Sequence, residues 1–189
     1  MSDKYRIWDQ NKPYFLTLTV ADWIDIFNTD AYKFIIIESL KHCQKEKGME
    51  IFGYCIMPTH IHLIARAKSN FKLSDVLRDF KKFTSKAIVN QITKEQGVRR
   101  NLLLNNVKAP GINRKRKVIC QFWQEGNHPV EITSNKFFDE KLDYIHNNPV
   151  TALIVEKPED YIFSSARNYA GLSNYLDVVL EIVKQRSYR

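Results

Sequence analysis

The sequence predicts an α+β protein, a ferredoxin-like βαββαβ sandwich whose antiparallel sheet carries its helices on one face. Three observations lead there. The segment PYFLTLTV (residues 13–20) alternates large apolar residues with threonine, the period-2 pattern of a strand. The segment MEIFGYCIMPTHIHLIARA (residues 49–67) reads as two short strands joined by a tight turn at Met57-Pro58-Thr59, where proline fixes φ. Two stretches of helical periodicity follow the first and third of these strands.

After the first strand, Asn28, Thr29 and Asp30 offer capping side chains, and Phe34, Ile37, Leu40 and Lys41 keep helical spacing until Gly48 supplies a stop. The strand pair comes next. A second helix is predicted from Leu73 to about Glu95, capped by Ser74, with Val76, Leu77, Phe80, Phe83, Ala87 and Ile88 on its apolar face and Lys72, Arg78, Lys81, Lys82 and Lys86 on the other. Residues 97–118 break all periodicity and read as a basic insertion loop. A strand is expected around residues 118–123, then a short extended piece at 129–132. Ser134-Asn135 opens a third helix, which Pro149 is expected to end. The tail from about 157 to 189 is expected to hold one more helix, Asn174 to Gln185. No repeat or low-complexity stretch divides the chain, so residues 1–189 read as one domain.

Composition narrows the function classes. The chain has 189 residues, enough for one well-buried core. It lacks the roughly 20 consecutive apolar residues of a membrane helix. Its start is polar, without the apolar run of a signal peptide, so a cytoplasmic location and no membrane partner are expected. Three cysteines, Cys43, Cys55 and Cys120, are odd in number and form no CxxC, which points away from a disulfide framework or a zinc site. The net charge is +8. Its clustering is more informative than its size: Arg99, Arg100, Lys108, Arg114, Lys115, Arg116 and Lys117 fall in one segment without an acidic residue. Such a block is either a solvated arm or a contact for a polyanion. With Lys81 and Lys82 these residues are the candidate DNA contacts.

Two pairs of residues could carry chemistry. In His60-Ile61-His62 the strand period puts both imidazoles on one face, here expected to face solvent, close enough to share a metal. Tyr144 and Asn148, four apart on a helix, present a phenol and an amide on one face. Either pair alone is also what a polar strand face or a helix interface contains. Together they could hold a divalent metal, which polarises a phosphoryl oxygen, beside a tyrosine nucleophile. The phenol, with an ordinary pKa near 10, would need help to ionise. The aromatic residues read mainly as core, with Phe122 and Trp123 the first candidates for base stacking. Tyr54 and Tyr161 are expected to pack, and His146 and Asn147 to orient or support.

GYCIMPTHIHLIARA (residues 53–67) resembles the strand of HUH nucleases, in which two histidines flank one apolar residue. KLDYIHNNPVTALIVEKPEDYIFSSARNYAG (residues 141–171) is similar to the tyrosine helix of REP-associated tyrosine transposases and their single-tyrosine insertion-sequence relatives. The resemblance covers roughly residues 13–171. It implies that His60, His62 and Asn148 ligate Mg²⁺ or Mn²⁺ and that Tyr144 cleaves single-stranded DNA near a hairpin, leaving a 5′-phosphotyrosine and a free 3′-OH. No nucleotide cofactor is implied. Single-stranded or hairpin DNA is the implied partner, and both a monomer and a homodimer are compatible with it. In many insertion-sequence relatives the third ligand is glutamine, where this chain has the shorter Asn148. Two other readings fit the same residues: a domesticated hairpin-binding protein without transposition activity, and a metal-dependent hydrolase that uses an activated water.

Overall fold

The computed structural model describes residues 7–97, 101, 103 and 122–180. Its elements, in chain order, are β1 (Tyr14–Thr19), α1 (Asp30–Glu46), β2 (Met49–Ile56), β3 (His60–Ala67), α2 (Leu73–Lys94), β4 (Val130–Glu131), α3 (Asn135–Thr151) and a one-turn α4 (Ala166–Tyr169). The strands form one antiparallel sheet in the order β2-β3-β1-β4. β3 runs antiparallel to both β1 and β2, so β1 and β2 are parallel to each other and α1 is the crossover between them. This is the predicted βαββαβ topology.

The period of two sorts the sheet into two faces. Leu16, Leu18, Ile61, Leu63 and Ala65 are fully buried on one face, where α1 and α2 pack on each other and on the strands. On the other face lie Phe15, Thr17, His60 and His62. That second face is partly covered by α3, an addition to the expected arrangement. A bulge in β2 lets α3 approach, because Ile51 pairs with Ala65 and Gly53 with Ile64, leaving Phe52 as the extra residue. Phe52 meets Phe138 of α3 edge-on at 6.1 Å. Gly53 leaves room for Leu142: a Cβ there would lie 2.7 Å from a Leu142 methyl.

Buried hydrogen bonds fix the position of α3. The Ser165 hydroxyl accepts from the Tyr54 amide at 2.9 Å and meets His146 Nε2 at 2.8 Å. The Tyr161 hydroxyl donates to the Ile56 carbonyl at 2.6 Å. Outside β2, the amide of Val179 donates to the Ile51 carbonyl at 2.8 Å and that of Ile56 to the Phe163 carbonyl at 3.0 Å. The chain after α3 therefore covers an edge that would otherwise expose unpaired backbone groups.

Several boundaries differ from the prediction. Ser134 does cap α3, accepting from the Phe137 amide at 3.2 Å, but α2 begins at Leu73 with no side-chain cap, so Ser74 lies inside its first turn. The fourth strand is the short piece at 130–131, paired with Tyr14 and Phe15. Trp123 makes only an isolated bridge to Val20, and residues 118–121 lie outside the described residues. Asn174 to Leu180 is not helical, and it is used instead to cover β2. The basic stretch with Arg99, Arg100, Lys108, Arg114, Lys115, Arg116 and Lys117 also lies outside the described residues. Cys43 and Cys55 are buried free thiols. No described helix is long and apolar enough to cross a membrane.

Pro149 does not end α3. It stands buried in the last turn, where its missing N–H removes a single helical bond. The helix stops at a Schellman motif. Ile154 N donates to Pro149 O and Leu153 N to Val150 O, both at 2.9 Å, with Leu153 in the left-handed region at φ 57°. Leu153 is 92% exposed, so its side chain gives little in return for that backbone cost. Leu153→Gly is expected to raise stability by about 1 kcal/mol in chemical denaturation, whereas a helix ended by Pro149 would gain nothing.

Candidate active site

The turn 57–59 is held between the hairpin and the chain leaving β1. Met57 N donates to His60 O at 2.8 Å, Val20 N to Thr59 O at 2.9 Å and Phe27 N to Pro58 O at 3.0 Å. From that fixed turn β3 starts with His60, and its register sets Thr17 directly across from His62.

Each histidine is oriented through its Nδ1 by a threonine. His62 Nδ1 lies 3.1 Å from Thr17 Oγ1, and His60 Nδ1 lies 2.9 Å from Thr59 Oγ1. The two Nε2 atoms converge at 3.0 Å. A hydrogen bond across that distance needs one Nε2–H as donor and the other Nε2 as acceptor. When both Nδ1 atoms carry the proton and donate to the threonines, both Nε2 lone pairs point at one place. Two nitrogens bound at right angles to one cation, each about 2.1 Å from it, stand about 3 Å apart, so the observed spacing fits a shared ion. Among the described residues no group of three or more His, Cys, Asp or Glu is placed to hold a metal. Further ligands would thus come from an amide such as Asn148, from phosphate or from water.

His62 is almost fully buried, contrary to the solvent-facing position expected from the sequence. Phe15 stacks on it at 5.4 Å, and Tyr144 meets it edge-on at 5.3 Å. Burial, then the neighbouring His60 and Lys141, pulls its pKa down to about 3, and burial lowers that of His60. Both imidazoles are therefore neutral at physiological pH, the state a metal ligand requires.

Tyr144 is half exposed and stands beside His62 and Phe15, so α3 brings the tyrosine to the histidines as the two motifs suggested. Asn148 follows one turn later, partly buried. Lys141 was not among the expected site residues. Its Nζ lies 5.0 Å from the Phe15 ring, 5.2 Å from Phe137 and 5.8 Å from Tyr144. The i, i+3 spacing to Tyr144 was the available signal. Thr17 and Phe15 needed the strand register, and Thr59 needed the turn.

Other expectations change. Phe122 and Trp123 are buried, with Trp123 packed against Phe27 and Phe80 and its Nε1 donating to Thr84 Oγ1 at 3.1 Å, so neither can stack on a ligand. Trp23, 60% exposed, meets the His60 ring edge-on at 6.0 Å. Lys81 donates to the carbonyls of Gln124 and Gly126 at 3.0 and 2.5 Å, and burial lowers its pKa to about 8. Lys82 is exposed on the same helix, which packs on the sheet face opposite the histidines. Tyr54 and Tyr161 are buried packing residues, as expected.

The IS200-like transposase family model matches residues 14–106, the stretch from β1 through α2. No curated protein matches the chain. Among solved structures, a REP-associated tyrosine transposase bound to a REP hairpin is similar over 100% of this chain and 98% of its own, with 19% identity and a TM-score of 0.66. A Deinococcus radiodurans R1 chain assigned as a transposase covers 77% of this chain and 97% of its own, with 16% identity and a TM-score of 0.43.

His146 supplies a test of the support beneath the site. Burial pulls its pKa down to about 4, so the folded protein keeps it neutral while the unfolded chain protonates it near 6.5. Its contribution is present above pH 6.5 and is lost as pH falls from 6.5 toward 4. The loss is at most on the order of 3 kcal/mol. His146→Gln should flatten the part of the stability–pH curve that His146 contributes in that window, measured by denaturant melts of metal-free protein. An unchanged curve would remove His146 as a titrating group.

Proposed function

We propose that this chain, whose residues 14–106 match the IS200-like transposase family model, cleaves and rejoins single-stranded DNA through a covalent bond to Tyr144. The observation that carries this reading is the convergence of His60 and His62 Nε2 at 3.0 Å with the Tyr144 ring beside His62.

His60 and His62 would hold a divalent cation, Mg²⁺ or Mn²⁺, with Asn148 as a third ligand; such an ion would withdraw charge from a phosphoryl oxygen and favour the phenolate. With such an ion in place, the Thr17 and Thr59 hydroxyls would accept from the Nδ1–H of each imidazole, leaving both Nε2 lone pairs for the metal. Tyr144 Oη attacks the phosphorus, the bond from phosphorus to the 3′-oxygen breaks, and the departing oxygen takes up a proton to become a 3′-hydroxyl. The phenol proton passes to solvent. The resulting 5′-phosphotyrosine conserves the bond energy, so attack by a 3′-hydroxyl reverses the step and rejoins a strand without ATP. Lys141, above the Tyr144 ring, adds positive charge where the phosphate must approach.

The solved relative carries a REP hairpin, which supports hairpin-bearing single strands as the substrate class here. The half-exposed phenol also suits a polymer lying across the sheet better than a small enclosed ligand. The basic residues Arg99, Arg100, Lys108, Arg114, Lys115, Arg116 and Lys117 would hold its backbone.

The test is a denaturing gel of protein incubated with Mn²⁺ and end-labelled single-stranded hairpin DNA. Native protein is expected to give DNA migrating with protein. Tyr144→Phe and the double variant His60→Ala, His62→Ala should each abolish that band. Cleavage without a covalent band, or a band persisting in Tyr144→Phe, would support a water-using hydrolase or a different tyrosine. Tight hairpin binding without cleavage would support a binding protein.

A further inference from the structure

Trp23 is not explained by the fold. Its indole is 60% exposed, and its backbone, like that of Asp22, has φ 55°. A bulky residue in that region stores strain unless its surroundings enforce it. They do so here. On one side of the turn Ala21 N donates to Phe122 O at 2.9 Å and Trp23 N to Val20 O at 3.1 Å, while Val20 N is tied to Thr59 O at 2.9 Å. Thr59 is the residue that orients His60. The same short turn therefore sets the imidazole and lifts the indole beside it, 6.0 Å away and edge-on.

The placement along the strands is also informative. Tyr144 touches Phe15 and His62, toward one end of the β1–β3 pair, whereas Trp23 follows β1 and touches His60, toward the other. The two histidines lie between phenol and indole. Trp123 is 6% exposed, so it cannot take this place.

We propose that Trp23 is a base-stacking platform for single-stranded DNA, holding one base of the strand on the side of the His60–His62 pair away from Tyr144. The proposal rests on the DNA-strand reading of the site. An aromatic face takes any base, so Trp23 confers grip and position more than sequence choice. Trp23 is a positioning residue and does not touch the reacting atoms.

The experiment measures binding without metal and without cleavage. Fluorescence anisotropy compares a labelled twelve-nucleotide oligothymidylate with a strand of the same length made of abasic sites. Trp23→Ala and Trp23→Gly are expected to weaken oligothymidylate binding roughly tenfold or more and to leave the abasic strand within about twofold. Trp23→Phe should recover most of the loss. Trp23→Gly, freed of the left-handed strain, should melt at or above the temperature of the native protein, which separates a lost contact from a damaged fold. Oligothymidylate affinity unchanged in Trp23→Gly would overturn the proposal, and so would an equal loss on both strands. Absence of a covalent Tyr144 adduct would count against the cleavage mechanism only, since no arm of this experiment depends on cleavage.

Discussion

The pairing of β1 with β3 is the constraint on which the site depends. Its register places Thr17 opposite His62, and the turn that starts β3 places Thr59 next to His60. A one-residue slip would send both imidazoles to the other face, into the layer filled by Ile61 and Leu63. The large apolar residues on that layer thus hold the register, and the register aims the histidines. Removing either threonine hydroxyl would take away the hydrogen bond that holds that ring's Nδ1.

The tyrosine reaches the histidines by a separate route. α3 is not part of the βαββαβ unit and comes to the sheet through the bulge at Phe52 and the close approach at Gly53. The buried Ser165 hydroxyl then links His146 of α3 to the β2 backbone. Buried polar links of this kind are costly to break, because each partner would be left without water. The position of Tyr144 is therefore tied to β2, while that of His62 is tied to β1. The site forms only when both attachments are made.

Much of this was legible in the sequence. Alternation in residues 13–20 and a tight turn between two short runs in 49–67 gave the strands, helical spacing gave α1 and α2, and their order gave the topology. Two histidines two apart had to share a strand face, and Tyr144 and Asn148 had to share a helix face. What escaped prediction was tertiary. Pro149 looked like a terminus because sequence alone could not show the Schellman motif formed around Leu153. Trp123 looked available because its burial against Phe27 and Phe80 depends on packing between distant segments. Lys81 looked like a free cation, yet two carbonyls that are 43 and 45 residues away hold its ammonium. Trp23 gave no local sign, since its exposure follows from a backbone conformation that composition does not report.

Crystals of the protein grown with Mn²⁺ and measured at the manganese absorption edge would show whether His60 and His62 share one ion. One anomalous peak is expected within ligand distance of His60 Nε2 and His62 Nε2 and on the side of the sheet that carries Tyr144. Manganese bound elsewhere, with the two imidazoles still hydrogen-bonded to each other, would contradict a shared ion.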